Sequence, residues 1–184
     1  TPTPSSAASD VYKRQQLERS QAEVRWNLMV DVGVLALNGG QLPAQIWLDN
    51  DAKERWKVER LVLQPQSDGR WGLVVHGLDS GEAITPESQG RLMAQEQQRL
   101  LQLLPELMQG LPVVSAALQQ ATPLGVMRWG ASRPLNHPLP EELQWCTTSA
   151  VGFCGDWIEG PGFGRAEGAI SSAVNLAERL HVDR

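Results

Sequence analysis

Cysteine is scarce in this chain: Cys146 and Cys154 are the only two in 184 residues. Two thiols do not build a disulfide framework. No Cys/His cluster has metal-ligand spacing, so no metal is expected. A reducing, cytoplasmic setting is the expectation. Long apolar runs are absent too, and none reaches the ~18 residues that a membrane helix needs. The N-terminus lacks the basic-then-apolar pattern of a secretory leader. A basic excess is also missing. Sixteen Lys and Arg against 21 Asp and Glu leave a net charge of −5. That argues against a nucleic-acid partner, which needs a basic stripe. Tyrosine and phenylalanine number one and two, against seven tryptophans. These tryptophans are expected mainly as core side chains, since aromatic residues dominate burial.

What is present suffices for a core, because 41% of residues are hydrophobic. Residues 1–15 stand apart as a Ser/Ala/Thr/Pro stretch with a short basic run and no periodicity. They are expected to be a disordered tail. The string SSAASDVYKRQ also resembles a translated sequencing adapter, in which case Tyr12, Lys13 and Arg14 have no role.

From Val24 the pattern alternates. Val24, Trp26, Leu28, Val30, Val32 and Val34 fall on one face, with Arg25, Asn27 and Asp31 on the other. That period predicts a long strand. Ala44 to Leu48, Val58 to Gln64 and Trp71 to His76 predict further strands, the last two joined by a hairpin at Asp68-Gly69. Thr85-Pro86-Glu87 is a helix start, and Leu92, Met93, Leu100, Leu103, Leu104 and Leu107 make a helical stripe. Pro105 is placed to kink or end that helix, with Gly110 stopping it. Val113 to Leu118 and Val126 to Trp129 predict strands, and the Pro-rich residues 130–142 a loop. Strands, one long helix, more strands and a final helix argue for an α+β fold with a mostly antiparallel sheet.

Residues 151–180 carry the chemistry: VGFCGDWIEGPGFGRAEGAISSAVNLAERL. They predict a short buried strand over Val151 to Cys154, with Gly155-Asp156 at its tip. A glycine loop follows from Gly160 to Gly164. A helix then runs from near Arg165 to about Leu180, with Ala169, Ile170, Ala173, Val174, Ala177 and Leu180 turned inward. A helix start exposes free N–H groups and the positive end of its dipole, which favours an electron-rich ligand. Glycines let backbone come close, and Asp156 offers a carboxylate to ligand hydroxyls. The spacing of Gly160, Gly162 and Gly164 is not that of a dinucleotide fingerprint.

The whole string resembles the C-terminal motif of the flavin-containing amine oxidases, most closely their renalase-like branch. Gly155-Asp156-Trp157 and Gly164-Arg165-Ala166-Glu167-Gly168-Ala169 carry the resemblance. Met127-Arg128-Trp129 and the helix around Leu92 to Leu107 fit it more loosely, and residues 44–80 match poorly. The resemblance implies FAD as cofactor, with Gly155, Asp156, Gly164, Arg165 and Ala166 as its contacts. Asp156 would hold the ribityl or phosphate region, and the Ala166 amide would face the flavin pyrimidine carbonyl. It further implies oxidation of a small-molecule amine or dihydronicotinamide by hydride transfer.

The strand–GxGxxG–helix that binds the ADP part is not in this sequence. The chain is therefore expected to be a piece of a flavoenzyme, partnered by a missing N-terminal dinucleotide-binding half. Residues 16–145 would belong to the substrate domain and residues 146–184 to the closing FAD-binding segment. Glu167 is expected to compensate the helix dipole, Trp157 to act as a packing lid, and Cys154 to be small and buried. No catalytic residue is assigned, and His76, His137 and His181 have no partner at a recognisable spacing. Two other readings stay open: a non-catalytic α+β binding module with a structural glycine loop, and an enzyme with another nucleotide at that loop.

Overall fold

The alternation along residues 24–34 builds an inner strand of a five-stranded antiparallel sheet. The computed structural model describes residues 6–79, 81, 82 and 84–182. Helix α1 is Ser6–Arg19, and strand β1 is Gln21–Val34. Next come β2 (Gln45–Trp47), α2 (Asn50–Trp56), β3 (Val58–Pro65) and β4 (Arg70–Leu78). Helix α3 is Pro86–Leu107, α4 is Pro112–Ala117 and β5 is Thr122–Asn136. Short strands β6 (Trp145–Cys146) and β7 (Val151–Gly152) precede the last helix, α5 (Ala166–Val182). The sheet order is β2-β3-β4-β1-β5, and β6 pairs with β7 alone.

The chain divides into two compact units. The strand unit is Val24–Trp129; the terminal unit joins the described residues up to Glu23 with those from Gly130 onward. These boundaries differ from the expected ones at residues 15 and 145. Residues 1–5 of the expected tail lie outside the described residues. The remainder is helical rather than irregular: Gln15, Gln16, Leu17, Glu18 and Arg19 are good helix formers, and Arg14 pairs with Glu18 at 2.9 Å one turn on. Lys13 is buried, its Nζ donating to the Trp145 carbonyl at 2.7 Å.

In the strand unit, Trp26, Leu28, Val30 and Val32 of β1 join Leu61, Leu63, Leu73 and Val75 of β3 and β4 in one core. Leu92, Leu100 and Leu104 of α3 complete it. The Thr85 hydroxyl accepts from the Ser88 amide, and Ser88 returns a bond to the Thr85 amide, so the start of α3 is capped on both sides. Pro105 does not end α3, because it falls in the last turn, where one missing N–H interrupts little.

Two segments depart from expectation for local reasons. The polar run Asp49-Asn50-Asp51 opens α2, with the Asp49 carboxylate accepting from the Ala52 amide at 2.8 Å. Residues 112–117 are helical, not a strand. Pro112 occupies the first helical position, and Ser115, Ala116 and Ala117 outweigh the two valines. Strand β5 also runs through Pro134, into the expected loop. It is an edge strand, where a missing N–H breaks no ladder.

The tryptophans are less buried than expected. Trp26 is 4% exposed, but Trp47 and Trp129 are 57% and 50% exposed. Both lie on the sheet face away from α3, with Asn27 and His76 between them. The Asn27 amide is oriented so that its nitrogen donates to His76 Nδ1 at 3.0 Å and its oxygen accepts from Trp129 Nε1 at 2.9 Å.

Burial holds the His76 imidazole below its ordinary pKa of 6.5; the Arg60 and Arg25 charges add to this, and Glu59 opposes it. A base with a depressed folded pKa contributes stability above its unfolded value. That contribution is lost as pH falls through 6.5 toward the folded value, because the unfolded state takes the proton first. Urea midpoints are therefore expected to fall between pH 7 and pH 5 more steeply in the wild type than in His76→Gln. Parallel slopes would refute this.

Candidate functional site

The candidate site lies within the terminal unit and is built around the start of α5. Phe153 N–H donates to the Gln144 carbonyl at 2.7 Å, carrying the chain on from the β6–β7 pair. Leu139, Leu143 and Ile158 form a small core beneath it, with Phe153 and Trp157 packed edge to face at 6.0 Å between ring centres. Trp157 is thus the packing residue expected.

Gly155 turns the chain at φ 146°, and a Cβ there would lie 2.6 Å from Trp157 Cδ1. Its N–H donates to the buried Ser172 hydroxyl at 2.9 Å. That hydroxyl faces the Gly155 carbonyl at 3.0 Å and the Ala169 carbonyl at 2.9 Å, and its single proton serves one of them at a time. Asp156 is half-buried, and its carbonyl accepts from Gly164 N–H at 2.7 Å, closing the loop between them. Its carboxylate has no hydrogen bond or ion pair among the described residues.

The glycine loop is held by backbone. Phe163 N–H bonds to the Gly160 carbonyl at 3.1 Å, and Arg165 N–H to the Gly162 carbonyl at 2.9 Å. Gly164 takes φ 73°, a conformation suited to glycine. Gly162 and Gly168 touch main chain to main chain: a Cβ on Gly162 would lie 2.5 Å from Gly168 Cα. The first intrahelical bond runs from Ala169 N–H to the Arg165 carbonyl at 3.2 Å. The Ala166, Glu167 and Gly168 amides therefore precede the ladder and have no backbone acceptor among the described residues. Glu167 lies in that first turn, as a dipole-compensating carboxylate should.

A cavity of about 260 Å³ opens beside this helix start. The loop Glu159–Gly162 forms one wall, with Arg165, Gly168, Ser171 and Asn175 opposite. Of the expected cofactor contacts, only Arg165 lines it. Gly155, Asp156, Gly164 and Ala166 gather at the strand tip and helix start outside its lining. Among the described residues no group of three or more His, Cys, Asp and Glu side chains could hold a metal ion. No described helix is long and apolar enough to cross a membrane.

Three local expectations are corrected. The segment leading to Gly155 is a strand only over Val151–Gly152, and Val151 is 43% exposed. Cys154 is exposed, while Cys146 is buried. The helix also turns its expected inner face outward. Ile170 and Val174 are 66% and 50% exposed, whereas Ser172 is 4% exposed. The cause is the loop. Only a glycine at 168 admits the Gly162 backbone, and the Ser172 hydroxyl satisfies the Gly155 amide, so the side carrying those residues must face in.

Sequence reasoning missed Gln144 and Ser172. Gln144 is fully buried and its Nε2 donates to the carbonyls of Phe153 at 3.2 Å and Ser172 at 2.9 Å. A polar residue between Leu143 and Trp145 gave no sign of this, because its partners lie 9 and 28 residues away.

No family model, no curated protein and no solved structure matches this chain.

Proposed function

We propose that this chain is part of an FAD-dependent oxidoreductase of the renalase-like, flavin-containing amine oxidase type. It would supply much of the substrate domain and the closing wall of the flavin site. The observation that carries the reading is the start of α5. There, among the described residues, the Ala166 to Gly168 amides have no backbone acceptor; Asp156, whose carbonyl accepts from Gly164 N–H just before the helix, has a carboxylate with no partner.

A flavin edge suits these groups. The helix dipole and free amides favour the negative charge that gathers near the pyrimidine carbonyl on reduction. Asp156 can accept from ribityl hydroxyls, with Gly155 backing it and Gly164 shaping the turn into the helix. Arg165, at the helix start, would shape the approach. FAD, when bound, would supply the hydride acceptor for an amine or dihydronicotinamide substrate, and oxygen would then take the electrons to give peroxide.

The remaining contacts are supplied by a dinucleotide-binding half of the same enzyme. The outward apolar stripe of α5, with Ile170, Val174 and Leu180 exposed, supports such a neighbour. The cavity points the same way: about 260 Å³ lies below the roughly 300–1,000 Å³ of ordinary small-molecule sites. The chain by itself is therefore expected to bind FAD weakly, with a Kd above about 10 µM, equivalent to less than about 7 kcal/mol. Titration by flavin fluorescence quenching measures this, and sub-micromolar binding would sink the fragment reading.

One observation favours a second reading, a non-catalytic binding module with a structural glycine loop. The Gly162–Gly168 contact explains two of the glycines by packing alone. The upstream reading frame separates the two: a GxGxxG segment between a strand and a helix supports the flavoenzyme, and an in-frame start near Gln15 supports the module.

A further inference from the structure

The sheet of the strand unit has a face that α3 does not cover, and strand register places one row of polar and aromatic residues across it. Trp47 is paired with Arg60, Arg60 with His76, and His76 with Asn27. Directly opposed residues in antiparallel strands project to the same side. Trp129 of β5 continues the row through its hydrogen bond to Asn27.

Arg60 is the permanent cation of the row. Its guanidinium stacks on the Trp47 ring, 4.9 Å from the centroid. No acidic side chain pairs with it among the described residues, and its Nε is buried with no acceptor. The adjacent Glu59 is engaged by Arg25, so no carboxylate among the described residues competes with an incoming anion for the Arg60 guanidinium. A stacked, planar guanidinium matches a carboxylate fork. The next residue in the row supplies a second donor. His76 Nδ1 accepts from Asn27, so its proton is on Nε2. Beyond it, the half-exposed Trp129 indole offers a flat apolar surface, with its N–H already used. Three inter-strand steps separate Arg60 from Trp129, about 14 Å at the usual spacing. A carboxylate joined to two fused rings fits that span, allowing for contact distances at each end.

We propose that this row is a binding site for a planar, fused-ring aromatic carboxylate, with the acid on Arg60 and the rings reaching toward Trp129. The proposal does not depend on the flavin reading, since every residue of the row lies in the strand unit.

The test uses the whole chain with 2-naphthoate and its uncharged isostere 2-naphthamide, followed by calorimetry and by the Trp129 indole N–H resonance. The carboxylate is expected to bind saturably and about tenfold or more tighter than the amide, as a charge-assisted fork requires. Arg60→Gln should remove that preference and leave amide binding within about twofold. Should Arg60→Gln fail to fold by circular dichroism, Arg60→Lys, which keeps the charge but not the fork, should reduce the preference. Equal affinity for the two ligands overturns the proposal. So does a preference that survives both variants, or no saturation by 2-naphthoate in the millimolar range.

Discussion

Replacing Gly168 by alanine is expected to destabilise the terminal unit by about 3 kcal/mol, the upper part of the overpacking range. The added Cβ would lie 2.5 Å from the Gly162 carbonyl carbon and 3.1 Å from its Cα. Both are backbone atoms, so no side chain can swing aside. The loop must move instead, and the bond from Arg165 N–H to the Gly162 carbonyl goes with it. A loss of that size is a large fraction of the roughly 5–15 kcal/mol that holds a domain together. Urea unfolding followed through tryptophan fluorescence measures it. Gly90→Ala is the control, in an exposed stretch of α3 where a Cβ meets nothing within 4 Å. That change should leave stability equal or slightly higher, since alanine is the better helix former. A Gly168→Ala loss below about 1 kcal/mol would show that the loop is not held by this contact.

Leu100→Ala is expected to cost the strand unit about 4 kcal/mol, within the usual range for a fully buried leucine. Leu100 has no exposed surface and comes from the middle of α3 onto the sheet. Its Cδ2 lies 3.5 Å from where a Cβ on Gly77 would stand, so it packs directly over the β4 backbone. Collapse into the vacated space is limited by strands on one side and helix on the other. The prediction is checked by the fall in the urea midpoint at unchanged slope. A loss under about 1.5 kcal/mol would mean that α3 can settle onto the sheet.

Much of the strand unit was legible in the sequence because its signals are local and periodic. Of the residues that the alternation of β1 puts on one face, Trp26, Leu28, Val30 and Val32 are buried, whereas Val34 is 74% exposed, because an irregularity between Asp31 and Gly33 shifts the register. The Asp68-Gly69 turn and the Thr85-Pro86 helix start needed no distant information. The terminal unit was harder, although its strand tip, glycine loop and helix start appear in the expected order. The period of α5 was correct, but the side that faces in was not. That side is chosen by Gly168 and Ser172, whose partners Gly162 and Gly155 are separated from them by a turn of loop.

By itself, then, the sequence determined the α+β class, the long capped helix, the main hairpin and the strand–loop–helix order at the C-terminal end. Hydrophobic period and turn chemistry act between residues only a few positions apart, so they can be read along the chain. Tertiary structure alone decided that the small, polar side of α5 packs inward. It also decided that Gln144 is a buried bridge, and that Trp47, Arg60, His76, Asn27 and Trp129 share one row. Those outcomes depend on register and close approach between segments far apart in sequence. There a single backbone contact or hydrogen bond outweighs the apolar preference of a whole helical face.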